Sequence, residues 1–403
     1  MKKSVKHSGS FKGTEERRNR RTIRKVSALA LSAVLLLSAL SACSAPRPDD
    51  SNSGGKVTYT DMEGKKVTLS KNINRIVLTR SRDIYEFAAL LGNQLPEKLV
   101  AWGSDLETAD KDAYDKFTAE YPALKKVPVL NSDESSDDPE ELAKYKPDLV
   151  FSDISFYDSD TDKKYRQAGL PVLYGDESTD PISSPQKTLA LLGKVLGKEH
   201  RAQEIIDYAS AKIDMVNSRI SKISGKSPTV YLEAGNSGPA EFSQTYGSYG
   251  NPPQYTSWGT MLNELKAKSI ADGLVANGMA SINPEYVIKA NPDVIVITGQ
   301  NWTSASGTMR LGFYADQATA QSRLEGFLGR PGWSELNAVK SKRVYSVFHN
   351  DCMHIFAFAG YEALAKDLYP DQFKDIDPEK DLADFYGKYM PFGLSGVWSV
   401  SLS

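Results

Sequence analysis

Three rhythms of apolar residues run along this chain. The first is continuous: positions 26–42 hold only Ala, Leu, Val and Ser. The second is the short alternation of strands. Val57, Tyr59, Val67 and Leu69 alternate with polar neighbours around Asp61-Met62-Glu63-Gly64, which predicts a hairpin. A short buried strand follows at 75–79, and Ser81 with Asp83 opens a helix that runs through Leu91 and ends at Gly92. Strand and helix signals then continue as strands at 99–102 and 127–130, a helix from Pro139, and strands at 149–152 and 172–174. That succession predicts an α/β domain with a mostly parallel sheet.

The third rhythm is helical. Leu189, Leu192, Leu196, Ile205, Ile206, Ala209, Ile213, Val216 and Ile220 recur with helical spacing over 185–223, almost without a strand signal. Gly193 and Gly197 interrupt the early part, so the pattern predicts a short helix followed by a long one over 198–221. A helix of that length spans roughly 36 Å, the width of a small domain. Beyond Gly225 the α/β alternation resumes, with strands at 230–233, 294–298 and 343–348 and helices at 258–265 and 284–289.

A repeat links the two alternating regions. The stretches 138–150 (DPEELAKYKPDLV) and 283–295 (NPEYVIKANPDVI) match at Pro, Glu, Lys, Pro and Asp with an offset of 145. Each is one unit: an N-cap, a proline at the first helical position, a glutamate favoured by the helix dipole, a short helix, a Pro-Asp stop and a buried strand. Two such units on either side of a long helix predict two similar lobes.

Composition sharpens this picture in two places. Of 49 Lys/Arg and 51 Asp/Glu, ten and two precede Cys43, leaving 39 bases against 49 acids in the remainder. That acidic body excludes nucleic acid as a partner. The first 42 residues have a basic region, an apolar region and small residues before a cut, the order of a secretory signal peptide. A membrane-spanning anchor is the competing interpretation, but 17 apolar-to-small residues with four serines fall short of the usual span. Residues 43–55 hold nothing that builds a core and read as a flexible linker. The expected organisation is therefore signal peptide 1–42, linker 43–55, an N-terminal α/β lobe over 56–182, a connecting helical region over 183–225, and a C-terminal α/β lobe over 226–403.

Together these stretches resemble a known family. Leu40-Ser41-Ala42-Cys43 is similar to the bacterial lipobox, in which the cysteine is acylated and becomes the mature N-terminus. The opening 59–69 (YTDMEGKKVTL) with Arg75-Ile-Val, both Pro-Asp units, and 330–345 (RPGWSELNAVKSKRVY) resemble the substrate-binding lipoproteins of ATP-driven importers for iron-siderophores, haem and vitamin B12. The resemblance covers about 56–370. It implies two Rossmann-like lobes joined by a single rigid helix, the class III periplasmic binding protein arrangement, with ligand in the cleft. It also implies a lipid anchor at Cys43 on the outer face of the cytoplasmic membrane and a homodimeric ABC permease with its ATPase as partner. One acidic residue per lobe, Glu140 and Glu285 here, would meet arginines on that permease; the alternative is that each serves only its own helix dipole, worth about 0.3–1 kcal/mol. Two stretches depart from the family pattern: 300–327 is longer than expected and the tail beyond Tyr369 carries no motif.

Ligand chemistry is expected at strand ends and helix N-termini. Arg80 and Arg82 occupy such a place and their guanidinium forks suit an anionic ligand. Tyr157 follows a strand in the same lobe. The stretch 235–258 carries Tyr246, Tyr249, Tyr255 and Trp258 among Gly, Ser, Asn and Pro, without the period of a helix or strand, which favours contact with a bulky ligand over core packing. Trp302 and Arg310 follow the strand that ends at Thr298. His349 follows the last strand, with His354 five residues on, beside Cys352 and Met353. The lobe over 56–182 has no histidine, so the multi-histidine set of a bare-metal carrier is missing and a metal chelate is the expected ligand, with no resident cofactor. An enzyme is disfavoured: Gly-x-Ser-x-Gly, the Walker loop, Gly-x-Gly-x-x-Gly and His-Glu-x-x-His are all absent. An anchored hydrolase and a bare-metal carrier are the alternatives to a chelate carrier.

Overall fold

The structure is a computed structural model that describes residues 55–130, 138–177, 179–248, 257–275, 278–302 and 305–402. The signal region, Cys43, Tyr249 and Tyr255 lie outside the described residues. Strands β1 (Lys56–Thr60) and β2 (Lys66–Ser70) form the expected antiparallel hairpin, with Tyr59 opposite Val67 and Val57 opposite Leu69. The Asp61 carboxylate closes the turn by accepting from the Lys65 amide at 2.7 Å.

The first lobe is built on β3 (Ile76–Leu78), β4 (Leu99–Trp102), β5 (Leu149–Asp153) and β6 (Val172–Gly175). They pair in the order β4-β3-β5-β6 and every pair is parallel. Their nearly unbroken burial accounts for the continuous apolar runs in sequence, because helices cover both faces of a parallel sheet.

The second lobe holds β7 (Thr229–Ala234), β8 (Thr245–Tyr246), β9 (Lys268–Ser269), β10 (Met279–Ala280), β11 (Val294–Thr298), β12 (Val344–Val347) and β13 (Ser399–Ser401). Within it, β9-β7-β11-β12 are parallel neighbours, the order of crossovers seen in β4-β3-β5-β6. Antiparallel additions widen this sheet: β8 on β7 with β10 beyond it, and β13 on β12.

The repeat holds at the level of single atoms. The Asp138 and Asn283 side chains accept from the amides of Glu140 (2.9 Å) and Glu285 (2.8 Å), capping the helices Pro139–Lys144 and Pro284–Ala290. Lys146 and Asn291, 145 residues apart, both adopt φ 46° where the chain leaves its helix. The Pro-Asp aspartates then pin the neighbouring strand: Asp148 Oδ2 accepts from the Arg75 amide at 3.0 Å, and Asp293 Oδ2 from the Thr229 amide at 2.9 Å. A short polar side chain at the stop of the helix thus sets the register of the sheet in both lobes.

Between the lobes run helices Ser184–Leu196 and Glu199–Ile220, the second of 22 residues, about 33 Å at the usual rise. Gly197, at φ 64°, ends the first helix. Gly193 does not break it; a Cβ there would stand 2.6 Å from the Ala202 Cβ, so this glycine lets the two helices approach. The Arg201 guanidinium ties the long helix to the Ala89 carbonyl of the first lobe and to the Lys388 and Tyr389 carbonyls of the tail.

Three expectations change. Residues 127–130 are not a strand, because a 3₁₀ turn over Pro122–Lys126 delivers them to the sheet edge with a single bridge, Val129 to Trp102. Part of the long stretch 300–327 is a helix, Gln317–Phe327. The motif-free tail is structural: helix Pro378–Tyr389 and β13 close the second lobe, and Phe392 reaches Phe117 of the first lobe edge-on at 4.9 Å. Tyr85 and Phe356 make a second such contact at 5.0 Å. Each edge-on pair contributes about 0.5–1.5 kcal/mol beyond area burial.

Candidate functional site at the seam between the lobes

The carboxyl ends of β3, β5 and β6 meet those of β11 and β12 across a polar seam. Gly103 matters at its edge: a Cβ there would stand 2.4 Å from the Thr79 carbonyl, so only glycine lets the turn after β4 approach β3. This brings Asp105 under the turn at Ser81, where Oδ1 accepts from the Ser81 amide and hydroxyl, both at 2.6 Å, and Oδ2 accepts from Arg82 Nε at 2.9 Å. Burial pushes the Asp105 pKa up, but the Arg82 guanidinium and the Ser81 hydroxyl outweigh it, and the net shift is downward.

Arg80 is buried. Its Nε lies 3.4 Å from Asp83, its Nη1 3.3 Å from Asp153, and its Nη2 donates to Met353 Sδ of the second lobe at 3.3 Å. Asp153 Oδ2 also accepts from the Glu177 amide at 3.0 Å. Burial raises the pKa of Asp83 and of Glu177 well above the carboxylate range, because no full set of donors replaces the water they lose.

From the second lobe, His349 presents Nδ1 to Thr298 Oγ1 at 2.7 Å and packs edge-on against Trp302 at 5.0 Å. Desolvation, helped by the Arg82 charge, lowers its pKa to about 4, so the ring is neutral at pH 7. Several polar contacts cross the seam. Asn301 Nδ2 and Arg310 Nη2 each reach Asp112 at 2.7 Å, Asn350 Nδ2 reaches Asp110 at 2.9 Å, and Gln300 Nε2 reaches the Ala109 carbonyl at 2.6 Å. His354 Nδ1 lies 3.1 Å from Glu86 Oε2.

The structure therefore gathers Arg80, Arg82, Trp302, Arg310 and His349 at one seam. Other candidates sit elsewhere. Tyr157 packs on Tyr174 at 5.2 Å, beneath the Lys65 ammonium at 5.6 Å, on the hairpin side of its lobe. Tyr246 and Trp258 are buried in the second lobe. Glu140 and Glu285 are exposed at equivalent helix starts. Cys352 is a buried free thiol whose pKa burial raises to about 12. Sequence reasoning missed Glu86, Asp112, Asp153 and Glu177. The available signal was Glu86, a lone acid in the apolar helix Ile84–Leu91.

Arg330 of the Arg-Pro-Gly-Trp stretch acts nearby without touching the seam. It forms a buried two-pronged pair with Glu233 at 2.5 and 3.0 Å and donates to the carbonyls of Pro239, Gly238 and Glu241. Phe242 lies flat against it at 4.1 Å. The motif thus fastens the loop that follows β7. A cavity of about 530 Å³ opens on the second lobe beside Tyr345, Lys366, Asp367 and Glu379. It shares no residue with the seam, where the cationic and aromatic side chains converge, so the seam is the better candidate for solute.

Two parallel α/β lobes of repeated topology, facing each other by their strand ends and joined through a long helix, define a two-lobed solute-binding protein. A family described as "Periplasmic binding protein" matches residues 89–348, and the chain belongs to that family. The crystal structure of TroA-like periplasmic binding protein FepB from Veillonella parvula superposes with a TM-score of 0.79 at 36% identity, covering 86% of this chain and all of that one. The molybdate-bound MolA of Haemophilus influenzae shares the fold (TM-score 0.64, 20% identity, 84% of this chain and 99% of that one). In sequence, 196 residues are 27% identical to the uncharacterized ABC transporter substrate-binding lipoprotein YvrC of Bacillus subtilis, 48% of this chain and 52% of YvrC. The chain spans about half the length of the curated relatives it matches. Among the described residues no helix is long and apolar enough to cross a membrane.

Proposed function

We propose that this protein captures a bulky anionic solute, a metal chelate of the iron-siderophore, haem or cobalamin type, between its lobes and delivers it to an ABC permease homodimer with its ATPase. The observation that carries this reading is Arg82 set near His349 and the Trp302 ring where the strand ends of both lobes meet, while Arg80 is buried in ion pairs to Asp83 and Asp153. Guanidinium groups there supply charge and planar hydrogen bonding, while a neutral imidazole and an indole supply a face for a flat or bulky ligand. Arg310 flanks the same seam through Asp112, and Tyr249 and Tyr255, outside the described residues, stay candidates from the sequence alone; Tyr157, Tyr246 and Trp258 are not part of the seam.

Acylated Cys43 tethers the protein outside the cytoplasmic membrane, and the linker 43–55 gives it reach. Glu140 and Glu285, exposed and related by the repeat, dock onto the two permease subunits, since one repeated feature meets the same pocket twice on a twofold partner. Titration with ferric siderophores, haem, corrinoids and free divalent ions, followed by tryptophan fluorescence, tests the ligand class. Trp302 at the seam should report chelate binding. Binding of a bare divalent ion with no response to any chelate would overturn the reading.

A further inference from the structure

We propose that Glu86, Glu177 and His354 form a site for one first-row divalent transition-metal ion that latches the two lobes together. This goes beyond the capture of a chelate, because the site is made by side chains of both lobes that the chelate reading does not use. Glu86 comes from the first helix of the first lobe, Glu177 from the turn after β6, and His354 from the second lobe six residues after Phe348. All three have no exposed surface. One donor atom from each lies within 4.8 Å of the other two, close enough for a single ion to collect them with small side-chain movements.

A second observation points to a ligand. Among the described residues no donor reaches either carboxylate oxygen of Glu177 or Nε2 of His354, all of them buried, and the Glu177 carboxyl faces that of Glu86. Native proteins seldom leave such atoms unmet, because each costs about 1–3 kcal/mol, and more when charged. Further carboxylates lie close by: Asp83, Asp105 and Asp153 hold Arg80 and Arg82 in ion pairs.

Two carboxylates and an imidazole suit Mn²⁺, Fe²⁺, Co²⁺ or Zn²⁺; Mg²⁺ and Ca²⁺ prefer all-oxygen sets, and Cu⁺ prefers sulfur. His354 Nδ1 lies 3.1 and 3.2 Å from the two Glu86 oxygens, a hydrogen bond that orients the ring and leaves Nε2 for an ion, and Glu86 Oε1 also accepts from the Ile355 amide at 3.2 Å. With ligands drawn from both lobes, the ion binds only when the seam is closed and so favours that state.

Equilibrium dialysis of chelator-stripped protein against Mn²⁺, Co²⁺ or Zn²⁺, with Mg²⁺ and Ca²⁺ as controls, reads this directly by metal analysis. One transition ion per chain is expected, with a Co²⁺ visible absorption band and a higher Tm. Glu177→Gln and His354→Gln should each weaken binding at least about tenfold while circular dichroism stays native. Wild-type protein that binds no transition ion would overturn the proposal, as would a folded Glu177→Gln protein that binds as tightly as wild type. Should a variant not fold, wild-type stoichiometry and the Co²⁺ band decide. Chelate titration of the same stripped protein is scored separately, so failure of the latch and failure of chelate capture are distinguishable.

Discussion

Replacing Asp112 by Ala tests whether the lobes meet in solution as they do here. Asp112 belongs to helix Lys111–Glu120 of the first lobe, and its carboxylate accepts from two second-lobe side chains, Asn301 and Arg310, both at 2.7 Å. Hydrogen bonds to a buried charge contribute about 1.5–3 kcal/mol each. The Arg310 side chain keeps 18% of its surface exposed, so screening and rehydration place its bond at the low end, and the two together amount to about 2–4 kcal/mol. For the lobe equilibrium, 2.8 kcal/mol is about a hundredfold change in the ratio of open to closed. Urea unfolding of wild type, Asp112→Ala, Arg310→Met and the double variant closes a cycle whose coupling isolates the pair. A coupling of about 1.5–2.5 kcal/mol is expected. A value below about 0.5 kcal/mol, with scattering profiles that coincide, would refute the contact and with it the closed seam.

Three further outcomes follow from single side chains. His349 titrates at about 4 in the native protein against 6.5 unfolded, so between pH 6.5 and 4 the unfolded chain takes a proton that the native chain refuses, and stability falls as pH falls. Allowing for residual exposure of the ring, wild type should lose about 2 kcal/mol more than His349→Asn across that window in urea titrations; Asp110, raised to about 6 by burial, works in the opposite sense but equally in both proteins. Arg330→Met leaves Glu233 buried beside only Tyr231 and the Ser243 amide and should cost about 3–5 kcal/mol by chemical denaturation, and Arg330→Lys should recover little of it because one ammonium cannot fill a two-pronged site. Glu140→Arg with Glu285→Arg should leave ligand affinity unchanged and abolish uptake in cells; normal uptake would leave both glutamates as helix-start residues alone.

The sequence by itself determined the architecture, because the fold depends on local signals that repeat. Strand runs buried on both faces, a Gly- and Pro-free helical stretch over 198–221 and the Pro-Glu…Pro-Asp units each act within a dozen residues, and the repeat supplied the two-lobe symmetry that the sheets display. It also marked Arg80, Arg82, Trp302, Arg310 and His349, which follow strand ends where α/β proteins leave space for ligand. Partners far apart in the chain were decided only by tertiary structure. Nothing local to Asp112 names Arg310, and nothing local to Glu86 or Glu177 names His354, 268 residues from the first of them. The same limit applies to the aromatics of 235–258: Tyr246 has the composition of a ligand-facing loop residue, yet pairing of β8 with β7 and β10 buries it, because sheet register rather than side-chain type decides which face a residue occupies. The tail shows the converse. It has no motif because its task is packing, and the Phe392 ring against Phe117 depends only on an apolar shape arriving where two lobes leave a gap.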